Sequence, residues 1–152
     1  MPPPARAPIG LTLARTAKSV SGAFDDALAA AGGSLPIWLI LISLKTQRLG
    51  NQRELARAVG IQGATLTHHL NAMEANGLLT RRRHPGNRRV HIVEPTESGE
   101  VLFGRLRAAA AGFDRRLRAG LDDDEIAGIE RMLERLQRNV VGDSADPQVR
   151  AE

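Results

Sequence analysis

Arg81, Arg82, Arg83, Arg88 and Arg89 crowd into one short stretch whose middle, Pro85-Gly86-Asn87, has the composition of a tight turn. The flanking runs, Leu78-Leu79-Thr80 before and Val90-His91-Ile92-Val93 after, read as two short strands, so the pattern predicts an arginine-tipped hairpin. Guanidiniums packed so closely repel one another and gain nothing from a hydrophobic core. Facing a polyanion they make sense, because each offers a planar fork of donors suited to phosphate oxygens and base edges. The competing reading is an edge hairpin whose charges only block strand-to-strand association, a task that rarely takes so many charges of one sign.

Other residue types narrow the chemistry. The 152-residue chain has no cysteine, which removes disulfides, thiolate metal sites and thiol redox sensing. His68, His69, His84 and His91 are the candidate metal ligands, but no His-x-x-x-His pair occurs and residues 68 and 69 point about a quarter turn apart on a helix. Asp122-Asp123-Asp124-Glu125 reads as an acidic helix start, with no histidine nearby in sequence for acid-base work. No phosphate-cradling glycine pattern or nucleophile elbow is found, so neither an enzyme nor a required cofactor is expected. The formal charge is +4, and of 21 basic residues only Lys18 and Lys45 are lysines. No apolar run approaches the ~20 residues of a membrane span, and Met1-Pro2-Pro3-Pro4 does not open a signal peptide; a cytoplasmic protein is the expectation, with no membrane partner.

The elements that must position these groups follow from spacing. Residues 1–7 are proline-rich and expected to be disordered. Ile9, Leu13, Ala17, Val20, Phe24, Leu28 and Ala31 share one helix face, which Gly32-Gly33 stops. Ser34 caps a nearly all-apolar helix expected to run to Gly50 and to lie at the centre of the core. Asn51 and Glu54 have capping-box spacing for a short helix, Gln52 to Val59, ended by Gly60. A further helix runs from Gly63 to Gly77, with Leu66, Leu70 and Met73 inward and Ala64, Thr67, His68, Asn71 and Ala75 outward. Within the hairpin, alternation turns Val90 and Ile92 inward and Arg89 and His91 outward. Thr96 caps a long helix to about Ala119, and Asp122 with Glu125 opens the last one. Two short helices across Gly60-Ile61-Gln62, followed at once by the hairpin, form a helix-turn-helix with a wing.

This order of elements resembles the MarR family of bacterial transcriptional regulators over nearly everything between Pro8 and Val141. The marks are Leu35 to Leu41 around Trp38, Glu54-Leu55-Ala56, Thr65-Leu66-Thr67, Leu70, Met73-Glu74, Gly77-Leu78, Arg81-Arg82, Asn87-Arg88-Arg89 and Thr96-Glu97-Ser98-Gly99. The family usually places an aspartate where Asn87 stands, and the resemblance implies that this acid orients a wing arginine bound for the minor groove. Gln62 stands where the family favours a short capping residue. The implied fold is mainly α with a small β wing: a winged helix-turn-helix lobe plus a helical dimerisation lobe built from both chain ends. Its segments are 8–50, helices shared by dimerisation and core; 51–95, the DNA-binding domain; 96–141, C-terminal dimerisation helices; and 142–152, a flexible tail.

The expected function is sequence-specific binding of double-stranded DNA by a homodimer on a pseudo-palindromic operator, as a repressor. Thr67, His68 and Asn71 are assigned to the major groove, Gln52, Arg53 and Thr65 to phosphates, and Arg82, Asn87, Arg88 and Arg89 to the wing contact. Ile9, Leu13, Leu117, Ile126, Ile129, Leu133 and Leu136 carry more apolar surface than one small lobe buries, which points to pairing across a two-fold axis. The resemblance further implies an effector pocket near Trp38, Ile42 and His69, for a small aromatic ligand. Zinc is the alternative effector, through the four histidines. A winged-helix module that holds a partner protein, without specific DNA binding, is the rival from another class.

Overall fold

The structure, a computed structural model, describes residues 6–46 and 52–142. The expected ends at Gly50 and Asn51, most of the proline-rich segment and nearly all of the tail lie outside the described residues. The elements are α1 (Ile9–Ala30), α2 (Leu35–Thr46), α3 (Gln52–Val59), α4 (Gly63–Ala75), β1 (Leu79–His84), β2 (Asn87–Pro95), α5 (Glu97–Leu117) and α6 (Asp123–Gly142). The chain divides into two compact units, residues 1–113 and 114–152.

Local chemistry accounts for most boundaries. Ser34 Oγ accepts the Ile37 backbone N–H at 3.4 Å, opening α2 with Pro36 in its first turn. At Gly60 and Gly77 the backbone takes φ of 71°, and the next N–H reaches back five residues, Ile61 to Ala56 O and Leu78 to Met73 O. Both are Schellman closures, in which glycine adopts the left-handed turn without a Cβ penalty. They end α3 and α4 so abruptly that β1 begins two residues beyond Gly77. Gln62 makes no side-chain cap on α4, in line with the departure noted at this position.

The core of the first unit gathers Leu28, Ile40, Leu41, Leu55, Leu66, Leu70, Met73, Leu79, Val93, Leu102 and Leu106. It therefore draws on α1, α2, both helix-turn-helix helices, the base of the wing and the first half of α5. The apolar α2 buries Ile40 and Leu41, as its composition demands, and no single helix among the described residues is long and apolar enough to cross a membrane. Thr96 fixes the wing to α5: its backbone N–H donates to Leu78 O, its hydroxyl donates to Gly77 O, and that hydroxyl accepts the Gly99 N–H. Gly99 is buried against the Leu78 carbonyl so closely that no side chain fits there. The Thr-Glu-Ser-Gly motif is thus the joint between the wing and α5.

In the second unit, Asp122 and Glu125 close a reciprocal capping box: each backbone N–H donates to the other's carboxylate, at 2.8 and 2.9 Å. The apolar stripe of α6 is left largely open, with Ile129, Met132, Leu133 and Val140 exposed.

The wing departs from simple alternation. β1 and β2 pair antiparallel from Leu79↔Pro95 to Arg83↔His91, and the next pair is His84↔Asn87. Arg88, Arg89 and Val90 are therefore inserted opposite a single step of β1, a bulge that bends the strand and re-aims its side chains. Opposed residues share a face, so the buried face carries Leu79 and Val93, with Arg81 beside them. Ile92 sits opposite Arg82 on the other face and His91 lies on the face of Val93. Val90 and Ile92 are half-buried and Arg89 and His91 exposed, as alternation predicts, while the buried residue of β2 is Val93, which the bulge leaves on the face opposite to Ile92.

Candidate nucleic-acid interface

The recognition-type helix α4 presents two polar residues to solvent whose hydrogen-bonding capacity is already partly used. Thr67 Oγ1 donates to Gly63 O at 2.9 Å and accepts Gln52 Nε2 at 2.7 Å, locking the first turns of α3 and α4 together. Asn71 is exposed, and its Oδ1 accepts Arg81 Nη2 at 2.5 Å. His68 is exposed and His69 half-buried; their rings meet edge-on at 5.7 Å. Leu66, Leu70 and Met73 face the core, as the ~100° spacing requires.

The wing arginines fall into three classes. Arg81 turns back onto α4, where its backbone N–H and side chain donate to Glu74 at 3.0 to 3.4 Å, and its side chain is only 17% exposed. The expectation that all five guanidiniums face outward is corrected here: β1 leaves α4 so closely that residues 74 and 81 meet. The hydrogen bonds from Arg81 hold the Glu74 carboxyl below the ordinary carboxylate range; desolvation opposes them and the Arg81 charge assists. Arg82 pairs across the sheet with Glu94 at 3.6 Å, both half exposed, a contact worth little in water. Arg83, Arg88 and Arg89 are exposed at the tip.

Two side chains shape that tip. His84 Nδ1 accepts the Gly86 N–H at 3.0 Å, and Asn87 Oδ1 accepts the Arg89 N–H at 3.1 Å. The bulge strips Arg89 of a ladder partner, and Asn87 replaces it. Asn87 therefore orients the backbone of Arg89 through its amide oxygen.

Between α3, the start of α4 and the wing lies a cleft of about 980 Å³, lined by Arg53, Arg57, Arg81 and Arg89 with Gln52, Thr67, Asn87 and His91 over Ala56, Ile61 and Val90. None of its lining residues is acidic, so the low-dielectric walls focus one sign of potential. Five residues assigned to DNA from sequence line it, Gln52, Arg53, Thr67, Asn87 and Arg89, and Asn71 meets its wall through Arg81. Arg57 was not among them, although it stands one turn after Arg53 on the same helix, a spacing that could have found it. Thr65 is exposed on α4, away from the Thr67 lock.

The remaining candidates have different surroundings. Trp38 stacks on Phe103 at 5.7 Å and packs against the core, and Ile42 is half-buried; neither they nor His69 line the cationic cleft. His68, His69, His84 and His91 do not gather into a group of three ligands among the described residues. Ile9, Leu13, Leu117, Ile129 and Leu133 are exposed, and Ile126 and Leu136 half-buried.

Residues 34–91, from the start of α2 through most of the wing, match the model of the MarR family. The structure of transcriptional regulator PA3341 is 31% identical, with 89% of this chain and 99% of that one covered and a TM-score of 0.69. This chain belongs to the MarR family. It is accordingly a transcriptional regulator and not an enzyme. The repressor CouR, solved on a 23-mer DNA duplex, is 28% identical, with 86% and 93% covered and a TM-score of 0.74. CouR from Rhodococcus jostii RHA1 was also solved with p-coumaroyl-CoA, at 27% identity, 88% and 94% coverage and a TM-score of 0.70. The winged helix-turn-helix of a MarR-family regulator is thus the frame in which the cationic cleft sits.

Proposed function

We propose that this MarR-family chain is a cytoplasmic repressor that binds a pseudo-palindromic double-stranded operator as a homodimer. The observation that carries the reading is the cleft between α3, α4 and the wing, whose lining includes no acidic residue and which is flanked by the exposed arginines of the wing tip. In that reading Thr67, His68 and Asn71 face base edges in the major groove. Gln52, Arg53 and Thr65 hold phosphates, and Arg82, Asn87, Arg88 and Arg89 serve the wing contact. Two copies would place their recognition helices about one DNA turn, ~10 base pairs, apart. The open apolar stripe of α6 and the exposed Ile9 and Leu13 of α1 are the surfaces such a dimer would cover.

The effector reading is a small aromatic ligand bound near Trp38, Ile42 and His69. CouR with p-coumaroyl-CoA supports an aromatic acyl ligand as the class to try first, while the scattered histidines give zinc no comparable support. Such a ligand acts by preferring one separation of the recognition helices over another.

The test is binding of the purified protein to its own upstream region against random DNA across a salt series, with sedimentation to give the stoichiometry. Selective, salt-steep binding of two chains per palindrome is expected. Equal, weak binding to both DNAs together with a monomeric chain would refute the reading and favour a module that holds a protein partner.

A further inference from the structure

We infer that Arg57 and His91, from opposite walls of the cationic cleft, hold one and the same DNA phosphate, and that this contact strengthens operator binding as pH falls. The inference rests on the proposed placement of α4 in the major groove, with the wing in the minor groove beside it. The two grooves of a duplex are divided by a sugar–phosphate strand, so a lobe that enters both must straddle that strand. The space between α4 and the wing is the cleft, walled by α3 and the start of α4 on one side and by the wing on the other. The strand therefore runs through the cleft, and the donors along its walls meet phosphates.

Several of those donors are already engaged: Gln52 bonds Thr67, and Glu74 holds Arg81. Arg57 and His91 are exposed, line the cleft, and make no ion pair or side-chain hydrogen bond among the described residues. They stand on α3 and β2, which pack against each other, so a phosphate between these elements is within reach of both. His91 lies on the face of β2 that carries Val93, opposite Arg83, while Glu94 is turned to the other face and pairs with Arg82. The charged groups around the imidazole are thus Arg53 and Arg57 from α3, Arg81 and Arg83 from β1, and Arg89 from its own strand; α2 and α4 add none to the cleft lining. All are cations, so a phosphate is the first anion this imidazole meets. Imidazolium donates from both ring nitrogens and attracts the phosphate charge, whereas neutral imidazole donates from one. The complex therefore holds a proton at His91 more firmly than the free protein does. Histidine changes charge between pH 5 and 8, so affinity rises as pH falls through that range and the gain is lost as pH rises through it.

The experiment titrates the full chain against its operator at about pH 5.5 and pH 8 at fixed ionic strength, as wild type, Arg57→Ala and His91→Gln. The wild-type chain is expected to bind more tightly at the lower pH. His91→Gln, which keeps a neutral donor, should gain about tenfold less per wing, the scale of one charge-assisted hydrogen bond. What pH dependence remains in that variant belongs to the other histidines. Arg57→Ala should lower the salt slope by ~1.8 in a dimer, equally on every DNA sequence. Operators in which one phosphate at a time, in both half-sites, is replaced by a neutral methylphosphonate then locate the contact. At a single position the wild-type chain should lose the His91 share of its pH dependence, and Arg57→Ala should cost nothing further. The pH readout in this arm uses the wild-type chain, so it decides the matter even if a variant folds poorly. A pH dependence that His91→Gln leaves whole, a salt slope that Arg57→Ala leaves unchanged, or two different phosphates answering to the two residues would each overturn the inference while operator binding stands. A wild-type chain that does not distinguish its operator from random DNA removes both.

Discussion

Replacing the wing arginines one at a time should sort them by how far the protein has already neutralised each. Every phosphate contact releases condensed counterions, so the slope of log affinity against log salt falls by ~0.9 for each contact removed. In a dimer with two wings, Arg88→Ala or Arg89→Ala removes two such contacts and should lower the slope by ~1.8. Between 50 and 200 mM salt that amounts to roughly a twelvefold smaller loss of affinity than the wild-type protein suffers. Arg82→Ala should have a smaller effect, because its pair with Glu94, at 3.6 Å with both side chains 55% exposed, competes weakly for the same charge. Arg81→Met should scarcely change the slope, since Glu74 already holds that guanidinium. Fluorescence anisotropy on a labelled operator at five or six salt concentrations gives all four slopes. A fall for Arg81→Met as large as for Arg88→Ala would refute the reasoning, for it would mean that Arg81 leaves Glu74 and meets phosphate in the complex.

Three other outcomes follow from contacts already described. Gly99→Ala should destabilise the protein by about 3 kcal/mol in thermal melts, although alanine is the better helix former, because the Leu78 carbonyl occupies the space of the new Cβ. A Cβ on Gly33 would come within 2.6 Å of Leu106, so Gly33→Ala should cost about 2 kcal/mol in the wild-type core. In a Leu106→Ala background that cost should vanish, and a double-mutant cycle measures the coupling. Glu74, whose carboxyl is held below its ordinary range, contributes stability that is present at neutral pH and lost as pH falls through the lowered folded value. Melts of wild type and Glu74→Gln should therefore differ at pH 7 and converge in acid below the ordinary carboxylate range.

Much of the architecture was legible because it is written in contacts between residues three to five apart. Ser34, Gly60, Gly77, Thr96 and the Asp122–Glu125 box mark helix ends by bonds that each segment makes with itself or its immediate neighbours. The inward face of α4 followed from the same local geometry. What was misjudged belongs to the wing. Alternation placed Val90 and Ile92 inward, and both are half-buried, but it did not single out Val93 as the buried residue of β2, because a bulge has no signature in a polar run such as Asn-Arg-Arg. Five arginines looked equivalent in a row, yet they divide into one tied to α4, one paired across the sheet and three at the tip. Arg57 went unremarked although its spacing puts it on the helix face of Arg53; that this face and β2 share a cleft was decided only by packing.

The amino-acid sequence by itself determined the order of elements, the helix ends marked by caps and turn glycines, and the family, because these signals act over one or two helical turns. Tertiary structure alone decided which charges are available and what α4 can offer to a base. Asn71, Glu74 and Arg81 lie on two elements joined by a tight closure at Gly77, and their hydrogen bonds exist only because β1 runs back beside α4. Pairing register and strand direction are set by the packed core under the wing. A side chain's remaining hydrogen-bond capacity depends on those neighbours, so its chemistry was fixed by the fold.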